Sequence, residues 1–457
     1  MKQKWHQNQR FNIVSISVFA YWYVSLFPGR LGFDYSLAIR MIQNGQSTDW
    51  WTSSFFWFLR ITSFWGREIF LSSFITYFAL FLSLRYLIFS LPADQRILKK
   101  TFIIATIFPL VSVFGLTVSH DVFQVSGIFL LTGMEFRRYR AVMSNTKTTY
   151  ITTLLAYVML TTTQTGVVVI LLDVILQIMR RKFLVQIICI ILTAGVYCLS
   201  TIDIAKHDPS GNVAWMVADL KCIAQHPEAR ISDSEWKFLV SLAPKSDWLL
   251  EMSCTTVDEP VGAMKSLNRK LMRLNLNFVS NYTKIVIKNP SIAGVAHIQR
   301  SRGALPPPFF QGPDNQVELN TSIPIGKGTN VALQNSFEIL HPSIDEPTVD
   351  RQVSFLKPFE LIAQGLMFFF NQASWFWGWG ALWMYPALYF TVTRIRNSTF
   401  IKRTQPLYFV FLLHVMLVAV GPGPLPRYVM SAIILGLSTT IILFLEWAQK
   451  YRSEIDA

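Results

Sequence analysis

The chain has 457 residues, of which 52% are hydrophobic and 15% are charged. Soluble proteins carry about 25% charged residues, so these values exclude an ordinary soluble domain and indicate an integral membrane protein. The net charge of +14 does not favour a nucleic-acid partner, because the Lys and Arg residues lie in short clusters between apolar runs.

Apolar runs approaching about 20 residues predict membrane-spanning helices. The candidate runs, in chain order, are 11–28, 68–91, 101–119, 122–135, 150–163, 166–179, 183–201, 375–393, 406–421 and 427–446. Residues 150–179 are interpreted as two short helices that meet at a polar tip, because Gln164 and Gly166 lie at the centre of this stretch. The sequence therefore predicts an all-α polytopic membrane protein with about ten transmembrane helices.

Positive charge predicts the orientation, because the cytoplasmic loops of membrane proteins carry an excess of Lys and Arg. Every second connection between the candidate spans is basic. The basic clusters are Lys2, Lys4 and Arg10; Arg96, Lys99 and Lys100; Arg137, Arg138 and Arg140; Arg180, Arg181 and Lys182; Arg394, Arg396, Lys402 and Arg403; and Lys450 and Arg452. Both termini are therefore expected to be cytoplasmic, and the remaining connections are expected to face outward.

The apolar runs divide the chain into three regions. Residues 1–201 are predicted to form an N-terminal membrane bundle with a first outward loop at 29–67, in which interfacial helices are expected. Residues 202–357 are predicted to form a mainly helical, non-cytoplasmic segment. Residues 358–457 are predicted to hold an interfacial helix and the last three spans.

Two cysteines, Cys222 and Cys254, lie in the polar segment. On the oxidising side of a membrane such a pair can form a disulfide, and the alternative is two buried free thiols. The sequence leaves both alternatives open.

Asp34 follows the helix break at Pro28-Gly29, close to the expected membrane surface. It is interpreted either as a helix cap or salt-bridge partner, or as a catalytic or substrate-orienting carboxylate. Four arginines share this outward loop, against the usual sidedness of positive charge: Arg30, Arg40, Arg60 and Arg67. An anionic lipid headgroup would account for cations on this side, which favours the functional interpretation.

Three further outward positions are candidates. His120 and Asp121 form the corner between the third and fourth spans, where an ionisable residue is a functional candidate and where Asp is also a favoured helix cap. Arg427 follows a turn rich in Pro and Gly, and its guanidinium can bind phosphate or extend towards lipid headgroups. Gln164 lies at the polar tip.

This pattern resembles the outward loops of bacterial membrane glycosyltransferases with the GT-C fold. The first loop carries the resemblance at Pro28-Gly29, Asp34, Gly45 and Asp49-Trp50. Asp121 is similar to the acid of the second loop in those enzymes, and the tip at Gln164 and the late Arg427 also fit. The resemblance covers the topology of most of the chain through short motifs.

The resemblance implies transfer of a sugar from a polyprenyl-phosphate donor to a glycan, lipid or protein acceptor of the cell envelope. This reaction would take place on the outer face of a bacterial inner or cell membrane. Asp34 would accept the proton of the acceptor hydroxyl, and Arg427 and Arg40 would stabilise the departing lipid phosphate. Asp121, with His120 and Gln164, would orient the substrates. No cofactor is assigned, and a divalent metal is left open because the chain lacks a clear DxD or ExD cluster.

Two other functions also remain open. A transporter or flippase of envelope lipid or glycan precursors would use the intramembrane Asp173 and the polar residues 161–164 as a pathway, although the sequence shows no paired inverted halves. A non-enzymatic scaffold or receptor for cell-surface polymers would tolerate the loss of Asp34 and Asp121 together.

Overall fold

The computed structural model describes most of the chain, and most of the described residues are helical. The described ranges are 2–27, 30–31, 38–39, 41–45, 47–48, 51–139, 146–180, 207–208, 213–251, 275–301, 323–324, 380–395, 399–420 and 429–455, with a few single positions between them. The predicted helical fold class is confirmed at this level.

Helices account for nearly all regular structure in the described ranges. They are α1 (Lys2–Ser25), α2 (Ser53–Thr62), α3 (Phe70–Ser90), α4 (Gln95–Ile107), α5 (Pro109–Leu116), α6 (His120–Tyr139), α7 (Thr146–Leu160), α8 (Gln164–Met179), α9 (Ala214–Gln225), α10 (Asp233–Leu242), α11 (Lys245–Leu249), α12 (Leu276–Lys288), α13 (Pro290–Ser301), α14 (Gly380–Arg394), α15 (Phe400–Thr404), α16 (Tyr408–Val420) and α17 (Met430–Ile455). A 3₁₀ turn at Gln405–Leu407 joins α15 to α16.

Three helical stretches are long and apolar enough to cross a membrane: Phe70–Ser90, Phe400–Val420 and Met430–Glu454. A fourth results if α4 and α5, which are bent by 62° at the break before Pro109, are counted as one span. The prediction of about ten spans is therefore not confirmed within the described residues. Helices α7 and α8 are apolar but only about 23 Å long, shorter than the hydrocarbon layer of about 30 Å. Most of the run 183–201 lies outside the described residues.

The polar tip predicted at the centre of residues 150–179 is present. Helix α7 ends at Leu160, and α8 begins after Thr163, whose hydroxyl oxygen accepts a hydrogen bond from the backbone N–H of Gly166 at 2.9 Å. A Cβ on Gly166 would collide with the carbonyl oxygen of Leu160, so only glycine allows this tight reversal. The tip residues that precede Gly166 are thereby fixed in place.

Short strands join the first outward loop to the corner before α6. Strand β1 (Arg30–Leu31) pairs in parallel with β3 (Thr117–Val118), and β5 (Ile323–Pro324) pairs with the other edge of β1 in antiparallel. Strand β2 (Ser47–Thr48) pairs in parallel with β4 (His207–Asp208). Residues far apart in the chain therefore meet at one end of the helix bundle.

The first loop also has an apolar core of its own. Its aromatic helix was predicted at 55–64 and is found as α2, with Phe55 and Leu59 buried. These side chains pack with Ile39 and with Val118 and Phe123 of the corner region. The loop is thus held against the N-terminal end of α6.

Helices α9 to α13 form a separate core within the polar segment. Trp248 is fully buried there, and its Nε1 donates a hydrogen bond to the Leu239 carbonyl at 2.9 Å. Cys222 and Cys254 form a disulfide with a Cα–Cα distance of 5.9 Å, which decides between the two alternatives left by the sequence. Asn289 lies between α12, which ends at Lys288, and α13, which begins at Pro290.

The polar segment contacts the membrane bundle through α13. His297 Nε2 donates a hydrogen bond to the Val418 carbonyl on α16.

The opposite end of the bundle carries a charge cluster around the buried Glu135, which accepts hydrogen bonds from Arg138 at 2.6 Å and from Arg180 at 2.8 Å and 2.9 Å. Two of the basic clusters in the sequence therefore meet at one end of α6.

Gly436→Ala is expected to destabilise the bundle by about 1–3 kcal/mol, because overpacking forces helices apart. Gly436 lies where α17 crosses α14, and an added Cβ would clash with the Trp383 carbonyl oxygen. Thermal unfolding of the detergent-solubilised protein measures the effect. Gly294→Ala on α13 is the matched control, since a Cβ there meets nothing within 4 Å and alanine favours a helix. Equal melting temperatures for the two variants would contradict the close helix crossing.

Candidate functional site

The corner between β3 and α6 holds a buried carboxylate. Asp121 lies in the first turn of α6 and is only 5% exposed. Its Oδ2 accepts a hydrogen bond from the Ser119 hydroxyl at 3.1 Å, and its backbone N–H donates to the Ser119 oxygen at 3.0 Å. His120 Nε2 lies 3.4 Å from Asp121 Oδ1, and the His120 ring packs edge-on against Phe55. The acid is therefore held in one orientation by both of its neighbours.

Asp121 opens into a cavity of about 150 Å³, which we call the polar cavity. Its walls come from the start of α2, the start of α6, the tip between α7 and α8, and the end of α16. The lining residues are Trp51, Thr52, His120, Asp121, Gln124, Thr162, Thr163, Gln164, Thr165, Leu413, Met416, Leu417 and Val420. Three residues singled out from the sequence, His120, Asp121 and Gln164, are thus brought together in one cavity.

The other three predicted site residues, Asp34, Arg40 and Arg427, lie outside the described residues. Asp34 follows the end of β1 by three positions in the sequence, and Asp121 follows the end of β3 by the same number. Strands β1 and β3 are parallel, with Leu31 opposite Val118.

An apolar groove of about 520 Å³ lies beside the polar cavity. Its lining residues are Ser54, Trp57, Phe58, Ile61, Ile75, Phe123, Leu155, Val158, Met159, Thr161 and Thr162. Thr162 lines both the apolar groove and the polar cavity. On α6, Phe123 lines the groove and the next residue, Gln124, lines the cavity. Ile61 and Val158 are 58% and 38% exposed, so the groove opens to the outside of the bundle.

Several cavity residues were missed by the sequence reasoning. Gln124 lies one helical turn after Asp121, and its Nε2 donates to the Thr165 hydroxyl oxygen at 2.7 Å, which ties α6 to the tip. The signal for Gln124 was available, because two polar residues three positions apart share one face of an otherwise apolar helix. The wall from Leu413 to Val420 has no local signal, since it is formed by a helix almost 300 positions later in the chain.

Asp173, which has no firm role assigned from the sequence, lies inside the bundle on α8. Its Oδ2 accepts a hydrogen bond from the Tyr157 hydroxyl at 2.7 Å, and its Oδ1 accepts from Gln177 Nε2 at 2.9 Å. Asp173 lines neither the polar cavity nor the apolar groove. Its described contacts tie α7 to α8.

Among the residues that the structure describes, no group of three or more His, Cys, Asp or Glu side chains is placed to hold a metal ion. His120 and Asp121 contribute two such side chains at the polar cavity.

Fold and site together define a mostly helical protein with several helices long and apolar enough to cross a membrane, and with an acidic polar cavity beside an apolar groove. Searches for relatives found no matching family model, no matching curated protein and no matching solved structure.

Proposed function

We propose that the protein is a membrane glycosyltransferase that takes a sugar from a polyprenyl-phosphate donor and moves it to an envelope glycan, lipid or protein. The observation that carries this proposal is the junction at Thr162, where a cavity with a buried carboxylate meets an open apolar groove. A lipid-linked sugar has the same two parts: a polar head that needs hydrogen bonds, and an apolar tail that needs a dry surface.

The reaction forms one bond and breaks another at the anomeric carbon of the donor sugar. The acceptor hydroxyl oxygen bonds to that carbon, the bond from the carbon to the phosphate oxygen breaks, and its electron pair leaves with the lipid phosphate. The hydroxyl proton passes to a carboxylate, which we assign to Asp34, as the resemblance implies. Asp121, oriented by Ser119 and His120, positions the sugar beside it.

Strand pairing supports a role for both acids at one site. Asp34 and Asp121 each follow a strand of the parallel pair β1–β3 by three residues. A chain of three residues spans at most about 11 Å, which limits how far each acid can lie from its strand. This limit supports the proposal that both acids serve one site.

The departing phosphate requires positive charge, because a developing anion is stabilised by preorganised donors. We assign this role to Arg427 and Arg40. Arg427 follows Val420, a residue of the cavity wall, by seven positions in the sequence, and Arg40 follows the buried Ile39 of the first-loop core. Gln164 at the tip completes the polar side of the binding site.

The proposed topology has about ten spans with both termini in the cytoplasm. The disulfide Cys222–Cys254 supports an outward position for the polar segment, because disulfides persist in oxidising compartments. Two of the basic clusters are proposed to lie on the same side of the membrane. The support is that Arg138 of one cluster and Arg180 of the other both bind Glu135. Helix α6 joins the two ends: it carries Asp121 in its first turn and Glu135 near its last turn.

A bulky side chain placed in the apolar groove tests whether the groove binds the lipid tail. Val158→Trp is expected to raise the KM for a long-chain polyprenyl-phosphate donor about tenfold, because the indole removes apolar surface that the tail would bury. Proteoliposomes containing the purified protein are given a radiolabelled donor, and membranes from cells that lack the protein supply the acceptors. A donor whose chain is too short to reach the groove is expected to keep its KM.

Ile151→Trp is the matched control. Ile151 lies two turns before Val158 on the same face of α7, is 61% exposed, and does not line the groove. It is expected to leave both KM values unchanged. An equal rise in both tryptophan variants, or a rise for the short donor as well, would contradict the assignment of the groove to the lipid tail.

A further inference from the structure

Six of the thirteen described residues that line the polar cavity carry an uncharged hydroxyl or amide side chain. Thr52, Gln124, Thr162, Thr163 and Thr165 surround it, and among its described lining residues Asp121 alone carries a formal charge when His120 is neutral. Such a lining of hydroxyls and amides is suited to a ligand that itself carries hydroxyl groups, because each group can both donate and accept.

The local hydrogen bonds divide these side chains into donors and acceptors. The Thr52 oxygen accepts from the Phe55 N–H and the Thr165 oxygen accepts from Gln124, which leaves both hydroxyl hydrogens for a ligand. The Thr162 hydroxyl donates to the Met159 carbonyl, which leaves its lone pairs, and Gln124 retains its carbonyl oxygen. Donors and acceptors are therefore both present and already oriented.

Size limits the ligand to one small ring. A volume of about 150 Å³ equals about five water molecules at about 30 Å³ each. Trp51 supplies an aromatic wall, against which the apolar C–H face of a sugar ring can pack. An oligosaccharide or a nucleotide exceeds this space.

We infer that the polar cavity selects a single uncharged sugar ring, and that this ring belongs to the lipid-linked donor. This inference rests on the proposed function. It names the class of donor sugar, which the proposed function leaves open. Continuity with the apolar groove at Thr162 assigns the ring to the donor, because the donor always carries a polyprenyl chain that requires the groove, whereas a glycan or protein acceptor carries none.

Charged sugars fit the described lining less well. The carboxylate of a uronic acid would enter a confined cavity beside the buried Asp121, and like charges repel strongly there. The ammonium group of an amino sugar would need Asp121 as its counter-ion and would have to share that carboxylate with Ser119 and His120. An uncharged hexose is not repelled by the Asp121 carboxylate and needs no counter-ion.

The test uses the purified full-length protein in proteoliposomes and three donors with the same polyprenyl-phosphate chain. The donors carry an uncharged hexose, a uronic acid and an amino sugar. The hexose donor is expected to show a kcat/KM at least about tenfold above each charged donor. Thr165→Val is expected to lower kcat/KM for the hexose donor about tenfold, because it removes one oriented hydroxyl. Inhibition by polyprenyl phosphate without a sugar is expected to stay unchanged.

Thr393→Val on α14 is the matched control, because its hydroxyl donates to the Tyr389 carbonyl away from the cavity. Preference for a charged donor would overturn the inference while leaving the proposed function intact. An effect of Thr165→Val on the KM of the acceptor alone would overturn the assignment to the donor sugar. Absence of transfer from all three donors in the unmodified protein would overturn the proposed function and the inference with it.

Discussion

Sugar transfer is expected to fall by about 100- to 10,000-fold when either acid is neutralised, in Asp34→Asn and in Asp121→Asn. Asparagine keeps the size of the side chain but cannot take a proton at neutral pH. In Asp121→Asn the hydrogen bond from Ser119 is kept as a neutral one, so the loss reports the charge rather than the packing. Initial rates in proteoliposomes measure the effect, and the melting temperature shows that each variant is folded.

Asp94→Asn provides the control for removing an acid. Asp94 caps α4, where its side chain accepts from the Arg96 N–H, and it lines neither the polar cavity nor the apolar groove. Transfer by this variant is expected to match that of the unmodified protein. Near-normal transfer by Asp34→Asn would remove Asp34 from the mechanism. Near-normal transfer by both Asp34→Asn and Asp121→Asn would remove both acids from the mechanism.

Asp219→Ala is expected to destabilise the polar segment by about 3–5 kcal/mol, because it leaves a buried charge without its counter-ion. Arg300 is fully buried and donates to Asp219, which also accepts from the Tyr282 hydroxyl at 2.7 Å. Burial lowers the pKa of Arg300 to about 10, so its guanidinium is still protonated at neutral pH. Burial raises the pKa of Tyr282 to about 12, which keeps its hydroxyl a donor.

Two further variants separate the charge from the packing. Glu454→Gln removes the acid of an exposed pair with Lys450 and is expected to change stability by less than about 1 kcal/mol. The double variant Asp219→Leu with Arg300→Met is expected to recover most of the loss, because an apolar pair of similar volume needs no counter-ion. Thermal unfolding of the full-length variants, followed by calorimetry, measures the effect. A double variant as unstable as Asp219→Ala would assign the effect to lost packing.

Features set by short stretches of sequence could be predicted. The tip at Gln164 depends on Thr163 and Gly166, which lie within three positions of each other and reverse the chain by local sterics and a local cap. The aromatic helix of the first loop and the helices of the polar segment depend on periodicity, which is also local. Asp121 could be predicted as a candidate because an acid between two apolar runs must lie at or near the membrane interface, where an ionisable residue is costly.

Features set by contacts between distant segments could not be predicted. The pairing of Arg300 with Asp219 joins residues 81 positions apart, and the cavity wall on α16 joins the tip from much further along the chain. The count of about ten spans is not confirmed within the described residues for a different reason. Hydrophobic runs such as 150–163 and 166–179 become helices of 15 and 16 residues, and composition alone does not show that a helix stops short of the full membrane thickness.

The three-stranded sheet β3-β1-β5 has a consequence for biosynthesis. Its strands come from residues 30–31, 117–118 and 323–324, so the last of them leaves the ribosome some 200 residues after the second. Until then one edge of β1 has open backbone donors and acceptors, which in a crowded translocation machinery can pair with other extended chains. A nascent chain arrested before residue 323 therefore contains the corner with Asp121. It lacks strand β5, which would pair with the open edge of β1.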